Sequence, residues 1–158
     1  DFTDRPTLAG EPGVVVARSL TKMFGLPGLR MGFAAATGGL RDRLDAARPA
    51  WGLSAPAAAV GTYCLRQTAF VAETQERVRR ERRRMRDTLD GPFDVYPSKA
   101  PFLLLETEIE VEALVADVRR AGIAVRDATT FRGLDDHVRV AVRRPAENDR
   151  LLDALLDL

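Results

Sequence analysis

Residues that build disulfides and metal sites are scarce in this sequence of 158 residues. It contains one cysteine, Cys64, and one histidine, His137. A single cysteine excludes a disulfide framework and a cysteine-based zinc finger, and it is typical of a reducing compartment. One histidine cannot build a metal site by itself. The sequence therefore predicts neither a disulfide nor a metal site.

Long hydrophobic runs and an excess of charge of one sign are also missing. No apolar run approaches the roughly 18 to 20 residues that cross a bilayer. The first residues, DFTDRP, lack the basic and then apolar layout of a secretory signal. Lys+Arg number 24 against 23 Asp+Glu, and 46% of the residues are hydrophobic. This composition predicts a globular protein with no membrane partner.

Lysine is scarce as well, because only Lys22 and Lys99 occur and all other cations are arginine. A lysine amine can lose its proton and attack a carbonyl, whereas a guanidinium stays charged. The choice of a Schiff-base lysine is therefore between two residues.

The hydrophobic pattern predicts an α/β fold in two parts. In residues 1–90, two strands flank a loop rich in glycine and proline, and helices follow. The predicted elements are strands 14–18 and 29–36, the loop 19–28, a helix 38–48 and one long helix from 54 to 89.

Residues 91–158 predict a small α+β domain with the order β, β, α, β, β, α. Thr107 and Glu110 form a predicted capping box for the first helix, Gly122 ends it, and Pro145 opens the second helix. The predicted strands are 93–96, 102–106, 123–127 and 138–142.

The loop after the first strand carries the most informative chemistry. Lys22 lies between the hydroxyls of Ser19 and Thr21, and Arg30 follows at the end of the loop. A lysine amine can condense with an aldehyde while hydroxyls and a guanidinium bind a phosphate on the same molecule. The alternative is that Lys22 is a solvated cation and Arg30 pairs with a carboxylate.

The whole string from Ser19 to Phe33 resembles the lysine loop of fold-type I aminotransferases, in the branch that contains histidinol-phosphate aminotransferase and threonine-phosphate decarboxylase. The resemblance implies that the cofactor is pyridoxal 5'-phosphate and that Lys22 forms the Schiff base with it. It also implies that Ser19, Thr21 and Arg30 hold the cofactor phosphate.

A second string, VRVAVR followed by PAENDRLL, resembles the C-terminal strand and helix of the same branch. The resemblance implies that Arg139 binds the α-carboxylate of a small phosphorylated amino acid. The segment GIAVRD is similar to a family strand, which makes Arg126 a candidate for a second anion of the substrate.

Within the branch, the sequence is more similar to threonine-phosphate decarboxylase, an enzyme of cobalamin side-chain biosynthesis. The aminotransferase usually has glycine where Arg143 stands here. The alternative is histidinol-phosphate aminotransferase or a related class I/II aminotransferase. One departure concerns Pro101, which replaces the usual asparagine and cannot donate a hydrogen bond.

The resemblance covers the second half of the family fold only. It implies that residues 1–90 are the C-terminal part of the large pyridoxal-phosphate-binding domain with an interdomain helix, and that residues 91–158 are the small C-terminal α+β domain. The aspartate that pairs with the pyridine nitrogen would precede Asp1, so we expect a fragment that binds cofactor poorly and is inactive alone. The resemblance further implies a cytoplasmic homodimer.

A dense basic run within residues 77–86 offers a non-enzyme alternative, a module that binds an acidic partner. The overall charge is near zero, Glu73, Glu76 and Glu81 are interleaved along the same stretch, and no aromatic residue lies within the run. These features favour the solvated face of a helix over a nucleic-acid site. The arginines are Arg77, Arg79, Arg80, Arg82, Arg83, Arg84 and Arg86.

Overall fold

A computed structural model describes residues 2–3 and 5–158. The aspartate that we expect to pair with the pyridine nitrogen would precede Asp1, and Asp1 itself lies outside the described residues. The chain forms two compact units, one in residues 3–74 and one made of residues 75–158 together with Phe2. The predicted domain boundary after residue 90 stays a prediction.

The first unit contains a two-stranded antiparallel ribbon and helices. The strands pair with Val16 opposite Ala35 and Ser19 opposite Gly32. The predicted loop between them contains one helical turn and a 3-10 turn at Pro27–Leu29. The elements are β1 (Val16–Ser19), α1 (Leu20–Met23), β2 (Gly32–Ala35), α2 (Gly38–Ala47), α3 (Ala55–Leu65) and the start of α4 (Thr68–Leu89).

The prediction of one helix from 54 to 89 is wrong, because the structure has two helices, α3 and α4. The amides of Arg66 and Gln67 donate to the carbonyls of Tyr63 and Cys64, three residues back, at 3.1 and 3.0 Å. Hydrogen bonds between residues three apart are of the 3-10 type, which tightens the last turn of an α-helix and ends it. The carbonyl of Gln67 then accepts from the amide of Val71 and starts α4.

The second unit has the predicted order of strands and helices. Its four strands form one antiparallel sheet in the order β3-β4-β6-β5. The elements are β3 (Asp94–Val95), β4 (Phe102–Glu106), α5 (Val111–Arg120), β5 (Arg126–Asp127), β6 (His137–Ala141) and α6 (Pro145–Leu156).

The predicted capping box of α5 is wrong in its first member. Glu110 is the N-cap residue, and its carboxylate accepts from the amide of Ala113 at 2.8 Å. Thr107 instead accepts from the amide of Ile109 at 3.1 Å, in the turn before the helix. Gly122 follows the end of α5 with a φ of 75°, as its place after the helix predicts.

The core of the second unit lies on one face of the sheet. Alternate residues of β4 and β6 point into it and pack against the helices, as strand alternation requires. The opposite face carries the residues between them and is partly polar. The strand residues of the core are Leu103, Leu105, Val138 and Val140.

Among the described residues, no helix has both the length and the apolar character that crossing a membrane requires.

Candidate functional site

The lysine loop is closed by backbone pairing at its neck, which is the place where the loop joins β1 and β2. Ser19 lies opposite Gly32, and the amide of Leu20 donates to the carbonyl of Met31 at 3.3 Å. Thr21 and Arg30 are therefore the first residues inside the neck, one from each side. Leu20 and Met31 are buried together with Ala57 of α3, which anchors the loop to the first unit.

Gly32 is required at this neck. A Cβ at this position would lie 2.6 Å from the carbonyl oxygen of Arg18, which is a backbone atom and cannot turn away. The glycine thus permits the close approach of β2 to β1 that closes the loop.

Ser19 and Thr21 form one hydrogen-bonded polar group. Their side-chain oxygens lie 2.7 Å apart, and the Ser19 oxygen accepts from the Thr21 amide at 3.3 Å. Thr21 is buried, whereas Ser19 is exposed. The paired hydroxyls can turn their hydrogens toward an anion, because either oxygen is able to donate.

The two cations of the loop are available to a ligand. Lys22 is exposed, and within residues 2–3 and 5–158 its amine has no hydrogen bond or ion pair. The Arg30 guanidinium donates only to the carbonyl of Pro27, at 3.5 Å. The alternative that Arg30 pairs with a carboxylate is wrong for the part of the chain that the structure describes.

The backbone of Arg30 is in the left-handed region, with φ 47° and ψ 50°. Such a conformation is unfavourable for a residue with a side chain by about 1–2 kcal/mol, and it persists where the surroundings enforce it. Arg30 is the residue that ends the 3-10 turn, and it lies at the neck of the loop.

These side chains fit a phosphorylated aldehyde. A free amine can bond the carbonyl carbon, and two hydroxyls with a guanidinium are suitable donors to a phosphate dianion. The apolar cavity of about 220 Å³ in the first unit is a different place, because Ser19 lines it while Thr21, Lys22 and Arg30 do not.

Arg126 and Arg139 are brought together by the second sheet. They lie directly opposite each other on β5 and β6, so their side chains share one face. The Arg139 guanidinium lies 5.0 Å from the ring centre of Phe102, and that of Arg126 lies 5.5 Å from the ring centre of Phe131. Arg126 also donates to the Thr130 hydroxyl at 2.9 Å.

Two like charges directly opposite each other destabilise a strand pair unless an anion lies between them or near them. In the described part of the chain, Arg139 has no hydrogen bond or ion pair with a protein group. The pair therefore has the charge and the free donors of an anion site.

The sequence reasoning missed a polar cluster on the same face of the sheet. Tyr96 donates to a Glu106 oxygen at 2.6 Å, and Nε2 of His137 lies 3.6 Å from that oxygen. The hydrogen bond to Glu106 raises the pKa of Tyr96, with smaller contributions from burial and from the charges of Glu106 and Asp94. No motif marks this cluster, because strand pairing alone joins its members.

Comparison with known proteins shows the family of the chain. Residues 1–155 match the family described as aminotransferase class I and II. The chain belongs to this family. Its mixed α/β fold is confirmed by similarity to L-threonine-O-3-phosphate decarboxylase from Porphyromonas gingivalis, with a TM-score of 0.85 and 26% identity, covering 99% of this chain and 51% of that one.

Family members from both subgroups are similar to the chain. It is 35% identical to histidinol-phosphate aminotransferase 1 of Archaeoglobus fulgidus, over 100% of this chain and 49% of the relative. It is also 35% identical to threonine-phosphate decarboxylase of Salmonella typhimurium, over 95% of this chain and 42% of the relative. The chain thus spans about half the length of these aminotransferase-family relatives.

Proposed function

We propose that this family member is part of a pyridoxal-phosphate-dependent enzyme that acts on a small phosphorylated amino acid. The observation that carries the proposal is the lysine loop, in which Lys22, without a partner among the residues that the structure describes, follows the hydrogen-bonded hydroxyls of Ser19 and Thr21. Arg30, in its left-handed conformation, supplies the guanidinium for the same phosphate.

Each residue has a defined task in this proposal. When bound, pyridoxal phosphate withdraws the electron pair of the bond that is broken at the substrate α-carbon. Ser19, Thr21 and Arg30 bind its phosphate and fix its orientation. The Lys22 amine moves a proton at the substrate α-carbon.

Arg139 binds the substrate α-carboxylate, and Arg126 binds a second anion. The opposed guanidinium groups suit a substrate with two anionic ends. Phosphothreonine has a carboxylate and a phosphate, and we favour decarboxylation of L-threonine O-3-phosphate. The alternative is transamination of histidinol phosphate, in which the dicarboxylate 2-oxoglutarate would supply the two anionic ends.

The cofactor part of the proposal is tested by borohydride reduction of the full-length protein with pyridoxal phosphate, followed by peptide mapping. We expect the pyridoxyl mass on the peptide that contains Lys22, and none after Lys22→Ala. Lys99→Ala is the matched control, because it removes the only other lysine of these 158 residues. A pyridoxyl mass that stays on another residue would overturn the assignment.

The reaction is tested by two assays on the full-length protein. We expect carbon dioxide release from phosphothreonine and no 2-oxoglutarate-dependent transamination of histidinol phosphate. The reverse result would leave the cofactor assignment intact and assign the protein to the aminotransferases.

A further inference from the structure

The polar cluster of Tyr96, Glu106 and His137 (the Tyr96 cluster) surrounds one carboxylate. Tyr96 donates to a Glu106 oxygen at 2.6 Å, and Nε2 of His137 lies 3.6 Å from the same atom. The rings of Tyr96 and His137 have centroids 5.4 Å apart. His137 is 7% exposed, whereas the Glu106 side chain is 42% exposed.

The strand register places this carboxylate beside the proposed substrate arginine. Glu106 lies opposite His137, and Leu104 lies opposite Arg139. Glu106 is therefore a diagonal neighbour of Arg139 on the same face, within the reach of long side chains. An arginine and a glutamate in such positions ordinarily form an ion pair.

The structure shows no such pair. The Arg139 guanidinium lies over the Phe102 ring at 5.0 Å, and Phe102 is the diagonal neighbour on the other side. The Glu106 carboxylate is turned toward Tyr96 and His137 instead. A hydroxyl bonded to a carboxylate makes a charge-assisted hydrogen bond, which is among the stronger kinds in proteins.

We propose that Tyr96 is a positioning residue that holds Glu106 away from Arg139 and so keeps the Arg139 guanidinium free for the substrate carboxylate. This inference rests on the proposed function of Arg139. Tyr96 acts through its hydrogen bond to Glu106, and the buried ring of His137 lies beside the Tyr96 ring. Without this hydrogen bond, the Glu106 carboxylate would compete with the substrate carboxylate for Arg139. With the hydrogen bond, Glu106 accepts from Tyr96 instead.

The first test is steady-state kinetics of the full-length protein with phosphothreonine. Tyr96→Phe removes the donor, so Glu106 is free to pair with Arg139 and the substrate must displace it. We expect KM to rise about two- to fivefold, as a competing exposed ion pair would produce, while kcat stays about the same. The double variant Tyr96→Phe/Glu106→Gln should return KM to the wild-type value.

The matched control is Asp94→Asn. Asp94 lies opposite Glu106 on β3, so the change removes one negative charge from the same face, one strand farther from Arg139. We expect KM to stay near the wild-type value. A KM for Tyr96→Phe that equals the wild-type KM, or a double variant that stays as weak as Tyr96→Phe, would overturn the proposal.

The second test does not depend on turnover. Phenylglyoxal modifies free guanidinium groups, and peptide mass mapping reports its reaction at Arg139. We expect slower labelling of Arg139 in Tyr96→Phe and wild-type labelling in the double variant, and equal labelling in all three would overturn the proposal. The expected labelling in a wild-type protein that turns over no phosphorylated amino acid would support the positioning of Glu106 and overturn the proposed function instead.

Discussion

At the scale of single residues, the lysine loop depends on the absence of a side chain at position 32 of its neck. Gly32 lies where any Cβ would overlap the Arg18 carbonyl oxygen, so the pairing of β1 with β2 requires a residue without a side chain. Arg30, two residues earlier, has a long side chain although its backbone is in the left-handed conformation that favours glycine. The position of the guanidinium thus depends on a glycine two residues away.

We expect Gly32→Ala to destabilise the protein by about 1–3 kcal/mol, the range for an atom forced into a filled space. The measurement is the midpoint of urea unfolding followed by circular dichroism. Gly28→Ala is the control, because a Cβ there meets nothing within 4 Å and the residue has no positive φ. Equal midpoints for the two variants would show that the neck can open without cost.

At the scale of elements, a buried carboxylate joins two helices. Glu81 of α4 is 4% exposed and accepts from Arg84 at 2.8 Å and from the side-chain amide of Asn148 in α6 at 3.0 Å. Burial raises the pKa of Glu81, but the hydrogen bonds from Arg84 and Asn148 and the charges of Arg84 and Arg80 outweigh burial and lower the pKa from its ordinary value of 4.5. The ionised form is therefore the one that holds α4 to α6.

Glu81→Gln should lower the free energy of unfolding at pH 7 by about 1–3 kcal/mol, since the charged hydrogen bonds are lost. A carboxyl whose pKa is lower in the folded state stabilises above its unfolded pKa, and the contribution disappears as the pH falls through the folded pKa. The difference between wild type and variant should thus be constant above about pH 5 and shrink below pH 4.5.

Glu76→Gln provides the matched control for urea unfolding across this pH range. Glu76 pairs with Arg79 at 2.9 Å on the exposed side of the same helix. An exposed pair contributes at most about 1 kcal/mol. A pH-independent difference for Glu81→Gln would contradict the role assigned to its ionised form.

At the scale of the whole molecule, the two units differ in how much apolar surface each buries. The core of the second unit includes both long strands and three helices. Among the residues that the structure describes, the cluster in the first unit has three buried members, Leu20, Met31 and Ala57. The first unit also has strongly exposed apolar side chains, of which Trp51 is 98% exposed. Burial is the main favourable term in folding, so the second unit is the more stable one.

Hydrogen exchange of the 158-residue chain tests this difference. We expect amides of β4 and β6 to exchange at least about tenfold more slowly than those of β1 and β2, because exchange from a less stable unit needs only local opening. The comparison is made within one sample, so solvent conditions are the same for both. Equal protection in the two units would show that the chain unfolds as one cooperative body.

Local signals predicted much of the fold and of the lysine loop. The Gly- and Pro-rich segment between two apolar runs identified the loop with Lys22, and the order of the second unit followed from alternating and helical patterns. Local signals failed at Gln67 and Thr107. In both places the residues are acceptable in a helix or as a cap, and the choice depended on hydrogen bonds that the fold selected.

The sequence by itself determined the residue types of the loop, the helices that begin at Ser54 and Pro145, and the family to which the chain belongs. Only the tertiary structure decided which distant residues meet. Arg126 lies opposite Arg139, Tyr96 reaches Glu106, and Glu81 accepts from Asn148. The physical reason is that strand register and helix packing are set by burial over the whole core, whereas turn and cap signals act within a few residues.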